Sequence, residues 1–318
     1  MDVQQPPSEQ DLRPFQAVGA EIYALLQQLD PARWREEHRP AALKTLKGLG
    51  ERARGLADGD DVTLATWGRK FSEAVSQSDQ CDEPELRELL TTSYDNLQER
   101  LKERGLEVHR HRPTNYLRNL YHIANGAMII GLIQYVLTPV TMVWVAGGFT
   151  ALAWTCEASR RLSPAVNRVL MRLFRDVAHP DEHYTVNSAT WMCTALLLIS
   201  LLFSPIACTV GVAILGFADP MAALVGRRYG KRKLYQSKTL EGALGFFVTA
   251  FLVTAVICWS FGATSSLGAA AIVAFCAATP TTLGELYAAL LIDDNFVIPT
   301  LGATGASLSL QLVTALSL

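Results

Sequence analysis

The chain has no Cys-x-x-C pair, and of its six cysteines only Cys81 lies outside the apolar runs or their edges. That excludes a disulfide framework and a zinc-ligand spacing, and leaves cysteine as a small apolar filler. Net charge is equally scarce, at −2 over 318 residues. Nothing in that balance calls for a nucleic-acid or other polyanionic partner, and none is expected. The first ten residues, MDVQQPPSEQ, lack the basic flank and apolar core of a secretory signal, so no such signal is expected there. What the second half lacks most is charge of either sign. Residues 1–118 carry 17 basic and 21 acidic side chains, 38 of the 58 in the chain, and the last 200 residues carry the other 20 in clusters. That shift divides the chain into a soluble domain, residues 1–112, and a membrane-embedded domain, residues 113–318.

Uncharged runs cover residues 119–156, 184–218, 242–284 and 295–318. A helix needs about 20 apolar residues to cross the hydrocarbon core. Each of the first three runs is long enough for a helical hairpin, with Pro139, Pro205 or the Gly262 region near its middle, and the fourth is a single span. The expected fold is all-α: a polytopic membrane protein of about seven transmembrane helices with an N-terminal soluble helical bundle. A soluble all-α core is the competing reading. Such runs would leave it almost no surface to show to water.

The N-terminal domain reads as amphipathic helices. Leu12, Phe15, Val18, Ile22, Leu25, Leu26 and Leu29 keep helical spacing after a leader over residues 1–11. Pro40 opens a second helix bearing Leu43, Leu46 and Leu49, which stops before the Asp58-Gly59-Asp60 turn. A third carries Leu64, Trp67, Phe71 and Val75. The fourth starts at a capping box, Asp82-Glu83-Pro84-Glu85, and runs to Gly105. No catalytic pattern occurs here, and His38, His109 and His111 read as solvated surface residues. An unidentified protein partner, regulation and docking on the membrane surface all remain open as its role.

Basic residues set the expected topology. Five arginines follow the second span and six Lys or Arg follow the fourth, whereas the turns near Pro139, Pro205 and Gly262 hold none. Alternation then puts the N-terminal domain, both basic loops and residues 284–299 on the cytoplasmic side. Arg161, Arg168, Arg172 and Arg175 form one stripe, read as an amphipathic helix on the membrane surface, and an acidic loop follows at residues 176–182. Arg118 and Tyr121 suit a headgroup interface, with His122 one turn after Arg118. Glu157, Asp219, Glu241, Glu285, Asp293, Asp294 and Asn295 then gather on one side. Ionisable groups at membrane depth are expensive and usually functional.

The densest of these clusters is DPMAALVGRRYGKRKLYQSKTLEG, Asp219 to Gly242. Gly226 and Gly230 permit close helix packing in the manner of small-xxx-small patterns. Arg227, Arg228, Lys231, Arg232, Lys233 and Lys238 also surround them, and glycine backbone beside cations suits a polyphosphate. The spacing is not that of a P-loop. Both readings stay open on the residues alone.

The order Asp219-x-x-Ala222-x3-Gly226-x3-Gly230-x-x-Lys233, then Lys238-Thr239-x-Glu241-Gly242, resembles the CTP-binding motif of the dolichol kinase family, which includes phytol, farnesol and CTP-dependent diacylglycerol kinases. Arg118-Asn119-Leu120-Tyr121-His122 and Asp293-Asp294-Asn295-Phe296-x-Ile298-Pro299 resemble that family's flanking motifs. Leu234 and Asn119 stand where the family often has lysine. The resemblance spans roughly residues 115–300. It implies phosphoryl transfer from CTP to the hydroxyl of a membrane lipid, a polyprenol or phytol-type alcohol or diacylglycerol. It implies Mg²⁺ on Asp219, Asp293 and Asp294, and Asp219, Lys238 and Glu241 as catalytic residues. Gly226, Arg227, Arg228, Gly230, Lys231, Lys233, Thr239 and Gly242 would hold the nucleotide, with Arg118, His122, Glu157, Glu285 and Asn295 as accessory residues. Glu241 could orient Lys238, bind metal or take the lipid's proton. A phosphatidate cytidylyltransferase shares the Lys-Thr-x-Glu-Gly-like element, but its Asp-Arg-x-Asp signature is missing. A transporter or scaffold is the non-enzymatic alternative; transporters place their polar features near the midplane, and here they cluster at one interface.

Overall fold

A computed structural model describes residues 9–31, 34–57, 61–106, 116–173, 186–235 and 238–316. The leader up to residue 8, the Asp58-Gly59-Asp60 turn, His109, His111, Arg175 and the acidic loop at 176–182 lie outside the described residues. The chain divides into two compact units, Met1–Thr114 and Asn115–Leu318.

In the first unit four helices pack in sequence: α1 (Glu9–Gln28), α2 (Arg39–Gly55), α3 (Val62–Ser76) and α4 (Glu83–Glu103). The apolar stripes meet in one core, where Ile22, Leu26, Leu46, Leu64, Leu90, Tyr94 and Leu97 are fully buried. Each such leucine contributes roughly 1.5–3 kcal/mol. Trp67 stacks on Phe71 with centroids 5.2 Å apart, and its indole N–H donates to the Ser93 carbonyl at 2.8 Å. Asp82 and Glu85 close the capping box that starts α4. Asp61 caps α3 by accepting from the N–H groups of Thr63 and Leu64, at 3.0 and 3.1 Å. Its other oxygen accepts from Arg104 Nε at 2.6 Å, tying the start of α3 to the residue that ends α4.

The second unit holds α5 (Tyr116–Tyr135), α6 (Pro139–Leu162), α7 (Pro164–Leu173), α8 (Ser188–Leu202), α9 (Pro205–Ala213), α10 (Asp219–Tyr229), α11 (Leu240–Ser260), α12 (Leu267–Leu291) and α13 (Asp294–Ala315). Five helices among the described residues are long and apolar enough to cross a membrane: α6, the continuous Pro205–Tyr229, α11, α12 up to Ala288, and α13. The 20-residue α5 and the apolar 15-residue α8 fall outside that set. Trp144, Phe149, Leu252, Val256 and Leu308 are exposed, as expected where the surrounding solvent is hydrocarbon. The chain turns before Pro139 and Pro205 and at Gly262, whose φ of +63° suits glycine. Helices α9 and α13 touch backbone to backbone. A Cβ at Gly211 would collide with the Pro299 carbonyl, and one at Gly302 would lie 3.1 Å from Gly211 Cα. Such contacts between small residues are the main packing device where no water drives association.

Two local expectations are corrected. Arg161 does not share a helix with Arg168. Ser163 leaves helical geometry (φ −131°, ψ 113°), and Pro164, lacking an N–H, starts α7 afresh. The unit is also not purely helical. Strands β1 (Lys233–Tyr235) and β2 (Lys238–Thr239) form an antiparallel hairpin, pairing Lys233 with Thr239 and Tyr235 with Lys238.

The helix Pro205–Tyr229 widens to π geometry over Ile214–Ala218, directly before Asp219. Pro220 explains the placement: it has no N–H for the carbonyl of Gly216, and its ring crowds that carbonyl. A π turn accommodates the mismatch, and such bulges are frequent at functional sites.

A pH test follows from Asp61. Burial pushes its carboxyl up, but the Thr63 hydroxyl, the Leu64 N–H and the Arg104 guanidinium outweigh it and hold the carboxyl below the usual Asp value. An unfolded Asp titrates near about 3.9, so this stabilisation is complete above that value and is lost as pH falls through the lower folded one. Asp61→Ala should cost about 1–2 kcal/mol at neutral pH and should remove this component of the acid sensitivity. Hydrogen exchange of α3 between about pH 3 and pH 7 reads both effects.

Candidate active site

Asp219–Gly242 folds as α10, the hairpin, and the first turn of α11. Helix α10 stops at Gly230, whose N–H donates to the Gly226 carbonyl at 3.0 Å. The glycines have a packing cause. A Cβ on Gly226 would stand 3.1 Å from Thr239 Oγ1 and 3.4 Å from Gly242 Cα, and one on Gly230 would stand 2.8 Å from the Thr239 side chain. Thr239 fits this notch and caps α11, accepting from the Gly242 N–H at 3.2 Å. The two halves of the stretch thus lock together through Gly226, Gly242 and the threonine hydroxyl.

Glu241 fixes the loop between them. Its Oε2 accepts from the backbone N–H groups of Lys231 and Arg232, at 3.0 and 3.3 Å, and the Leu240 N–H donates to the Arg232 carbonyl at 2.8 Å. Lys231 and Arg232 are exposed on this pinned loop, Arg228 is exposed in the last turn of α10 and Lys233 at the start of β1, and Arg227 is half-buried. Leu234, in the place of the family's second lysine, is exposed beside them.

Lys238 points elsewhere. Its ammonium donates to Glu285 Oε1 of α12. Glu285 is buried, with 4% of its side chain exposed, whereas Lys238 keeps 36% exposed. Asp219 at the start of α10 and Asp294 at the start of α13 also act on this ammonium. Burial disfavours its charge, but Glu285, Asp219 and Asp294 together outweigh that and hold Lys238 above the usual lysine value. Four elements therefore bring one cation and three carboxylates together. Sequence reasoning had paired Glu241 with Lys238 as one option, whereas the counter-ion is Glu285, 47 residues further along the chain.

Asn295 organises the third segment. It is buried, and its amide donates to Asp293 Oδ1 and Asp294 Oδ1, both at 2.9 Å. Asp293 in turn caps α13 by accepting from the Asn295 N–H at 2.9 Å. Glu157 is buried elsewhere in the unit. It accepts from Arg160 at 2.8 and 2.9 Å and from Arg161 at 2.8 Å, and meets the N-cap Asn187 of α8 at 3.4 Å. Its charge is already matched, so it ties α6 to α8. Arg118 lies in the first turn of α5 and His122 one turn later, where His122 faces a small cavity beside the π segment.

Among the described residues no group of three or more His, Cys, Asp or Glu could hold a metal unaided. That does not disqualify Mg²⁺, which usually takes one or two carboxylates and completes its shell with water and substrate phosphates. Hard oxygens from Asp219 and from one of Asp293 and Asp294 fit that description by donor type.

These observations define a helical membrane protein whose charged groups converge at the ends of its spans. Comparison then narrows the group. The chain is similar to the CTP-dependent diacylglycerol kinase 1 of Saccharomyces cerevisiae, 24% identical over 146 residues, 45% of this chain and 49% of that one. It is similar to dolichol kinase of the same yeast, 34% identical over 93 residues, 28% of this chain and 17% of that one. An uncharacterised protein of Rickettsia prowazekii is 23% identical over 186 residues, 57% of this chain and 88% of that one. The resemblance read from the motifs to dolichol kinase and CTP-dependent diacylglycerol kinase thus holds at the family level. The chain spans about half the length of the yeast diacylglycerol kinase. No family model and no solved structure matches it.

The ion pair can be tested apart from activity. Lys238→Met strands the buried Glu285 charge and should cost on the order of 2 kcal/mol, less than the roughly 3–5 of a fully buried pair because water reaches the ammonium. Lys238→Met with Glu285→Leu should recover most of that loss. Thermal denaturation of the four members of the cycle in detergent measures both.

Proposed function

We propose that this chain is a CTP-dependent lipid kinase, transferring the γ-phosphate of CTP to the hydroxyl of a membrane lipid, either a polyprenol or phytol-type alcohol or diacylglycerol. The carrying observation is the convergence of Asp219, Lys238, Glu285 and Asp294 from four elements beside an exposed cationic loop. The names of the two yeast relatives support the class of reaction.

Phosphoryl transfer rests mainly on positioning and charge stabilisation, and the residues divide along those lines. Arg228, Lys231 and Lys233 reach into water and would gather the triphosphate, with Arg227 beside them. Glu241 holds their loop in shape through its two backbone bonds. Lys238, kept charged by its carboxylate neighbours, stands where the acidic centre meets that loop and would face the transferred group. Asp219, Asp293 and Asp294 would hold Mg²⁺, which when bound neutralises phosphate charge. Asn295 sets the spacing of the last two. In the transfer the lipid oxygen forms its bond to the γ-phosphorus, the bridging β–γ P–O bond breaks with CDP leaving, and the hydroxyl proton passes to a carboxylate.

On this reading α5 and α8 join the five long helices to give seven spans, with the charged centre and the N-terminal unit cytoplasmic. The N-terminal unit would engage a protein partner or the membrane surface.

The experiment is a labelled-CTP assay on purified protein against polyprenol, phytol, farnesol and diacylglycerol. Label from the γ-phosphate should appear on the lipid; a CDP-lipid with pyrophosphate release would instead mean a cytidylyltransferase. Asp219→Asn should lower the rate by on the order of 10²-fold or more. An unchanged rate in that variant would remove Asp219 from the metal site.

A further inference from the structure

A small cavity of about 20 Å³ lies between α5, α8, α13 and the π-widened helix, lined by His122, Asn125, Met192, Leu196, Leu215 and Pro299. We propose that it seats the terminal hydroxyl of the acceptor lipid alcohol, with Asn125 as the hydroxyl's hydrogen-bond partner. This rests on the kinase reading of the neighbouring acids.

Asn125 carries the argument. It sits ten residues into α5 in an otherwise apolar stretch, Ile123 to Leu132, where a carboxamide is costly and marks function more often than packing. Its amide donates to Met192 Sδ at 3.9 Å. A thioether is a weak acceptor, so the NH₂ group is poorly served. An alcohol is both donor and acceptor and would satisfy the N–H and the side-chain carbonyl together.

Size and position agree. A volume of about 20 Å³ holds one or two water-sized groups, enough for a hydroxyl and its carbon but not for a chain, which would trail between helices. Two of the helices that wall the cavity also carry acids of the charged centre. Gly216, on its π segment, precedes Asp219 by three residues, and Pro299 follows Asp294 by five, so each acidic segment lies one to two helical turns along the chain from the cavity. Helix α5 is held close by direct backbone packing, a Cβ at Gly126 falling 3.0 Å from Gly216 Cα. The hydroxyl would thus sit beside the groups that must receive its proton and present the phosphate.

The test uses the full chain in phosphatidylcholine nanodiscs and a long-chain alcohol with a diazirine near its hydroxyl, against the matched probe lacking the hydroxyl. Labelled residues are mapped by mass spectrometry without nucleotide. The alcohol should label the α5 and α8 walls several-fold more than its control. Asn125→Leu should abolish that preference, and Leu196→Phe, filling the cavity with Asn125 intact, should reduce it too. Equal labelling by both probes, or a preference unchanged in both variants, overturns the proposal. If Asn125→Leu fails to fold, as its melting temperature would show, Leu196→Phe decides alone. Where CTP-dependent transfer is present, Asn125→Leu should also raise the lipid KM about tenfold and leave the CTP KM unmoved. Labelling without any CTP-dependent transfer would sink the kinase reading while the alcohol site stands.

Discussion

The constraint on which the second unit depends is that a charge near hydrocarbon must find a partner within the protein. Every buried ionic group described there obeys it. Glu157 is matched by two arginines and Glu285 by Lys238, while the half-buried Asp293 and Asp294 are bridged by the buried Asn295. These matches also decide the architecture. Lys238 and Glu285 tie the hairpin to α12, and the Asn187 N–H on Glu157 ties α8 to α6, whereas the Asn295 bridge is local to the start of α13. Apolar packing sets how close the helices come. The ionic groups set which ends meet.

The glycines illustrate how one residue type serves both ends. Gly211 and Gly302 bring α9 and α13 into backbone contact, and Gly226 and Gly242 do the same for α10 and α11. The first contact braces the helix that carries Asp219 against the one that starts with Asp294. The second fixes the angle between that helix and the segment bearing Lys238. Substitution at either contact would therefore move the charged centre without touching it. The π segment adds a local adjustment, since an extra residue in the turn before Asp219 changes the direction in which that side chain leaves the helix.

Much of this was legible in the residues. Charge-free runs and the basic clusters between them located the helices, because length and composition suffice where the solvent is lipid. The capping box at Asp82 and the turns at Pro139, Pro205 and Gly262 were equally local signals. The ion pairs were not. Glu241 stands three residues from Lys238, and orienting it was one of three open roles, yet a strand followed at once by a helix turns the two apart, and Glu285 arrives from a distant helix. Long-range pairing leaves no trace in a single sequence. The break at Ser163 was hidden for a different reason: the arginine stripe keeps its period across the interruption, and only Pro164 hinted at a new start. Asn125 carried a readable signal, a carboxamide set between apolar residues of α5 from Ile123 to Leu132.

The arrangement separates two kinds of charge. The exposed cations Lys231 and Arg232 of the α10–β1 loop are long and solvated, with their backbone pinned by Glu241, so their side chains can adapt to a multiply charged ligand at little desolvation cost. The acids behind them are short, capped or bridged, and set in helix ends that packing holds still. Adaptable cations suit capture, and fixed carboxylates suit placing atoms to within a fraction of an ångström. Lys238 stands between the two classes. It is partly exposed like the loop cations but anchored like the acids, and it is the one basic side chain in the stretch whose charge three carboxylates maintain. A phosphate arriving there must compete with those carboxylates for the ammonium. Binding would then be favourable only when another cation neutralises the acids at the same time. On the proposed reading, that coupling would make the site selective for a nucleotide carrying its own divalent ion over the bare anion, through the electrostatics of one lysine.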